Sequence, residues 1–182
     1  MKLIKRILSA MMCLFIVGCM YIPAGEVENI EPTPTVDVVI ATPEPTPTPI
    51  KTVFGFTEEF ERYIDQVAEY YDLPADLVRG VIWVESRGQI NADNGLCVGL
   101  MQLNRQYAST FMKATGAQNI TDPEYNVQCG CWWLSELMEW ADGEENLALM
   151  AYNMGQSKAL KKWQNGEVTS YAIKVQEARS KF

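Results

Sequence analysis

The side chain best placed to do chemistry is one glutamate. Val78, Val81, Ile82 and Glu85 stand at i, i+3, i+4 and i+7, so Glu85 falls on the apolar stripe of the helix that this spacing predicts. It also lies near the C-terminal end of that helix, where the backbone dipole disfavours negative charge. Desolvation and dipole both push a carboxyl's pKa upward, as a general acid working near neutral pH requires. The bland alternative is a glutamate bent outward at a fraying helix end, or paired with Arg79 or Arg87. The sequence contains no histidine, which removes Ser-His-Asp and Cys-His nucleophilic sites and any zinc site built on imidazole. Acid–base work therefore falls to a tuned carboxylate. Downstream come Ser86, a polar loop with Asn91, Asn94 and Gly95, the run Gly99-Leu-Met-Gln-Leu103, and Ala151-Tyr-Asn-Met-Gly155. Amides, a tyrosine hydroxyl and aromatic rings suit neutral sugars, although singly Tyr152 and Trp133 read as core, Gln102 as surface and Asn153 as a cap.

The elements that must position these groups are helical. Thr57 caps a helix bearing Phe60, Ile64, Val67, Ala68 and Tyr71, and Pro74 opens the helix that carries Glu85. Asn94-Gly95 marks a turn, followed by a helix from near Gly99 through Phe111. Asp122-Pro123 opens another, and 147–152, 157–163 and 169–179 read as the last three. No run of period-two alternation demands a sheet. The prediction is an all-α domain over residues 54–182, long enough to bury its own core.

What precedes that domain has a different composition. Seven of the nine prolines lie from Pro23 to Pro49, six of them at alternate positions in 31–35 and 41–49, a pattern that favours extended polyproline II, so 21–53 reads as a spacer. Lys2, Lys5 and Arg6 precede the apolar run from Ile7 to Met20, so 1–20 reads as a secretory signal or a membrane anchor. Ile16-Val17-Gly18-Cys19 resembles a bacterial lipoprotein box, which implies lipidation of Cys19. Either reading puts the domain outside the membrane and close to it, on the extracellular face of a bacterial cell. The 15 basic and 23 acidic side chains give a net charge of −8, which argues against nucleic acid as a partner. Cys97, Cys129 and Cys131 remain in the domain. A Cys97–Cys129 or Cys97–Cys131 bridge and buried free thiols are both open readings. No metal site and no cofactor are expected.

Taken together, Glu85-Ser86, Gly99-Leu-Met-Gln102, Asp122-Pro123 with Asn126 and Gly130, and Ala151-Tyr-Asn-x-Gly155 resemble the lysozyme-like lytic transglycosylase domain, in its order and at its spacing, over about 54–175. Glu167, Tyr171 and Val175 resemble its closing helix. The resemblance implies that Glu85 is the sole catalytic acid and base. It would act on the bond between N-acetylmuramic acid and N-acetylglucosamine in peptidoglycan, leaving a 1,6-anhydro sugar end. It implies that Gln102 and Tyr152 lie in the cleft, with Tyr152 near the catalytic carboxyl. Ser86, Asn126 and Asn153 are then support and substrate contacts, and Tyr171 lines the cleft. Two departures stand out: Gly88 where the family often has an aromatic, and Asn104-Arg105 where many members have methionine-proline. Both imply altered subsite binding. Two other readings use the same fold. One is a hydrolysing muramidase like goose-type lysozymes, for which Asp93 is the available second carboxylate. The other is a glycan-binding protein that has lost its chemistry. An anchored domain of this size fits local opening of the cell wall for a secretion, conjugation, phage or remodelling system.

Overall fold

The computed structural model describes residues 53–182; Cys19, the anchor and nearly all of the spacer lie outside the described residues. Seven α-helices and one two-stranded hairpin make up the described part. Helix α1 (Glu58–Tyr70) starts where the Thr57 hydroxyl accepts from the Phe60 N–H at 3.2 Å, and α2 (Ala75–Ser86) follows Pro74. After the hairpin come α3 (Ala108–Thr115), α4 (Pro123–Trp140), α5 (Glu145–Met154), α6 (Gln156–Gln164) and α7 (Ser170–Arg179). Asp122 caps α4 through the N–H groups of Glu124 and Tyr125, with Pro123 in the first turn, and Thr169 caps α7. Among the described residues no helix is long and apolar enough to cross a membrane.

One sequence expectation is corrected. The stretch from Gly99 through Phe111 is not one helix. Cys97–Val98 (β1) pairs antiparallel with Leu103–Asn104 (β2), a 3-10 turn spans Arg105–Tyr107, and α3 begins only at Ala108. Gly99 (φ 79°) and Gln102 (φ 48°) both take left-handed backbone, which ends any right-handed helix between them. Leu100, Met101 and Leu103 are buried as the inside of a tight turn rather than as a helix stripe. Local spacing does not separate the two, because both place neighbouring apolar residues in the core.

Two features lock the helices that matter for Glu85. Helix α7 lies so close to α2 that a Cβ on Gly80 would stand 2.9 Å from the Val175 carbonyl oxygen. Farther along α7, the Arg179 guanidinium grips both Asp76 oxygens at 2.9 and 3.0 Å and Glu145 at 2.7 Å, tying α7 to the starts of α2 and α5. On the other side, Arg79 of α2 donates to the buried Glu61 at 3.1 Å and to Asp65 at 2.6 Å, both on α1. Ile64, Leu77, Ile82, Met101, Phe111, Leu134, Leu137, Leu149 and Met150 fill the space between.

Candidate active site

Glu85 sits one residue from the C-terminal end of α2 and is half-buried. Its carboxyl is desolvated enough to lift its pKa from 4.5 to about 7, burial outweighing the opposing hydrogen bond from Tyr171. That bond, from the Tyr171 hydroxyl to Glu85 Oε1, is 2.6 Å long and comes from the first turn of α7. Neither arginine considered as a partner reaches the carboxyl: Arg79 is taken by Glu61 and Asp65, and the Arg87 guanidinium lies over the Trp83 ring. Glu85 is therefore a carboxyl poised near neutrality, oriented through one oxygen.

The resemblance put Tyr152 near the carboxyl and Tyr171 on the cleft lining. In the structure Tyr171 is the hydrogen-bond partner, while the buried Tyr152 hydroxyl donates to the Met101 carbonyl at 2.8 Å. Burial, with the negative charge of Glu85 as a second cause, holds the Tyr152 phenol well above the ordinary range. Both phenols stay protonated and act as donors.

Asn126 is the residue that shapes the loop. Its Oδ1 accepts from the Met101 N–H at 2.8 Å, and its amide donates to the Val98 carbonyl at 2.9 Å and the Ile120 carbonyl at 2.8 Å. Gly99 lies flat against that amide and Gly130 against the Met101 side chain, so a Cβ at either glycine has no room. Met101 is thus held by its N–H, its carbonyl and its side chain. Asn126 and Ser86, read from the resemblance as support and substrate contacts, are both buried. Asn126 is sealed from solvent with every polar atom engaged. Ser86 is buried, donating to the Ile82 carbonyl at 3.1 Å and accepting from the Gly88 N–H at 3.2 Å. Both are framework. Gln102 is tied as well: its amide donates to the carbonyls of Ala92 and Gly99 at 3.2 and 3.0 Å, and its oxygen accepts from Asn94 at 3.1 Å. Asn153, at the end of α5, is exposed.

Asp93, the second carboxylate of the hydrolytic reading, is exposed and committed elsewhere. One oxygen accepts from the Gly95 N–H at 2.8 Å and the other from Arg105 at 2.6 Å, and these bonds hold its pKa below the usual carboxylate value. Cys129 and Cys131 are buried free thiols raised by burial, Cys129 to about 11, and no disulfide forms among the described residues; Cys97 lies half-buried on β1. Among the described residues no group of three or more potential ligands is arranged to hold a metal.

Two site features escaped sequence reasoning. Met101 reads as an ordinary core residue until its backbone contacts are seen. The second is Phe54: a Cβ on Gly88 (φ 77°) would come within 2.5 Å of its ring, so the space above position 88 is filled from the segment ahead of α1. Phe54 stacks on Phe56 and Phe182, at 4.9 and 5.0 Å between ring centroids.

This is a lysozyme-like helical fold with one tuned carboxyl at the end of its second helix. A family model for the transglycosylase SLT domain matches residues 62–174, and the chain belongs to that family. The fold is also similar to that of the lytic transglycosylase Slt from Pseudomonas aeruginosa, solved as an inactive glutamate-to-glutamine mutant. That match has a TM-score of 0.55 at 22% identity, over 70% of this chain and 22% of the other, so this chain spans about a fifth of that protein's length.

Proposed function

We propose that this chain is a peptidoglycan lytic transglycosylase that cleaves the β-1,4 bond between N-acetylmuramic acid and N-acetylglucosamine without water. The observation that carries this reading is the Glu85 carboxyl, lifted to about 7 and held through Oε1 by Tyr171. Near pH 7 a substantial fraction of it carries a proton, on the oxygen that Tyr171 leaves open. Glu85 gives that proton to the glycosidic oxygen as the bond to the anomeric carbon breaks. The resulting carboxylate takes the proton of the muramoyl hydroxyl on carbon 6 as that oxygen closes on the anomeric carbon. Proton and oxygen balance, Glu85 returns to its starting state, and the product is a 1,6-anhydro end. An internal nucleophile needs no second carboxylate to activate water. That agrees with Asp93, whose two oxygens are engaged and whose basicity is lowered.

The exposed Asn153 and the rim around Gln102 are the proposed glycan contacts, while Ser86 and Asn126 support the loop from behind. In this proposal Cys19 carries the lipid, residues 21–53 hold the domain off the membrane, and the enzyme works on the outer face of a bacterial cell, opening the wall locally for an envelope-spanning or remodelling system. The test is mass spectrometry of products released from purified peptidoglycan by the full chain, its Glu85→Gln variant and its Asp93→Asn variant. We expect anhydro-muramic ends, one water lighter than reducing ends, from the wild type and Asp93→Asn, and a loss of about 10³-fold or more in Glu85→Gln. Reducing ends that vanish in Asp93→Asn would instead establish hydrolysis. A folded chain that binds peptidoglycan and releases nothing would establish the binding reading.

A further inference from the structure

Two cations converge on one ring near the C-terminal end of α2. The Arg87 guanidinium carbon lies 4.8 Å and the Lys181 ammonium 5.1 Å from the centroid of the Trp83 ring. The two charges are therefore no farther apart than about 10 Å, the screening length at 0.1 M salt. Both side chains are exposed, and among the described residues neither enters an ion pair or a side-chain hydrogen bond. In a chain of net charge −8, carboxylates are plentiful, yet among the described residues none forms an ion pair with either cation. The dipole of α2 accounts for one cation at its C-terminal end. It does not account for a second, brought from beyond α7 to the same indole.

The backbone and the packing keep this arrangement in place. Arg87 caps α2 in left-handed backbone (φ 57°), a conformation that favours glycine, and it lies two residues past Glu85. Phe54 packs 6.1 Å from Trp83, stacks on Phe182 and fills the space over Gly88, so the indole has a rigid backing. A guanidinium stacked on an aromatic face keeps its in-plane N–H donors open, in the fork geometry that matches a carboxylate.

We propose that Trp83, Arg87 and Lys181 form a carboxylate-binding platform at the C-terminal end of the helix that carries Glu85, on a different face from its carboxyl, and that it takes the acidic peptide stems carried by the glycan strand. The choice of carboxylate source rests on the peptidoglycan reading above; the platform itself rests on the two cations and the indole. It would favour strands that still bear their peptides over bare glycan.

The test is cosedimentation of the full chain with insoluble peptidoglycan, native or with its carboxylates converted to amides, for the wild type and the Arg87→Gln/Lys181→Gln double variant. Both side chains are exposed, so the variant is expected to keep the wild-type melting temperature. The platform predicts that amidation weakens wild-type binding about tenfold, and that the double variant binds native and amidated material equally, at that weaker level. A double variant that binds native material as the wild type does, or one weakened by a further tenfold on amidation, would overturn it. Both proteins are also measured with Glu85→Gln, so that binding is read without cleavage; absence of anhydro products from the unmutated chain would sink the transglycosylase reading and leave this result standing.

Discussion

Glu85 shows how one residue is tuned by two opposed forces. Burial raises its carboxyl and the Tyr171 hydroxyl lowers it, and burial wins, leaving a pKa of about 7. A carboxyl whose folded-state pKa lies above its ordinary 4.5 binds its proton more tightly in the folded protein. Its contribution is therefore fully favourable below about pH 4.5 and is lost as pH rises through about 7. Glu85→Gln removes that titration and keeps an oxygen for Tyr171. The variant should match the wild type near pH 4 and be more stable near pH 8, by on the order of 2 kcal/mol, as read from denaturant melts at the two pH values. Equal stability at both would mean that the carboxyl is well hydrated. Glu85 was legible in the sequence because an apolar stripe with a carboxylate on it is a local pattern. Its partner was not, because Tyr171 is 86 residues away and only the packing of α7 on α2 joins them.

At the scale of elements, that packing is what aims the tyrosine. Gly80 lets α7 approach until Val175 meets the α2 backbone, and Arg179 fixes the far end of α7 on Asp76 and Glu145. Gly80→Ala would press a methyl group against the Val175 carbonyl, which is backbone and yields only if α7 moves. We expect a stability loss of about 1–3 kcal/mol and, under the proposed function, a fall in kcat of about tenfold with KM nearly unchanged, measured by thermal melts and by release of soluble glycan from peptidoglycan. Helix starts were readable from Thr57, Asp122-Pro123 and Thr169, since a cap is a contact between near neighbours. The hairpin was not. Its path is dictated by Asn126, more than twenty residues away, which claims the Met101 N–H and the Val98 carbonyl. The same amide explains why asparagine at that position resembles the family's pattern while making no approach to solvent.

For the whole molecule, the boundary near residue 54 is set by aromatic packing as well as by composition. The end of the proline run was plain in the sequence, but nothing local said that Phe54 would cover Gly88. Removing residues 1–53 should leave the melting temperature of the domain unchanged, whereas removing 1–56 strips Phe54 and Phe56 from Trp83, Phe60 and Phe182. The shorter form should lose about 2–4 kcal/mol, visible as a lower melting temperature at equal concentration. The meeting of Phe54 with Phe182 has one more consequence. The polypeptide leaves this unit beside the place where it enters, so a host needs to offer only two adjacent attachment points. A unit with that geometry can stand at the tip of a tether or be joined within a longer chain without disturbing Glu85 and its partners.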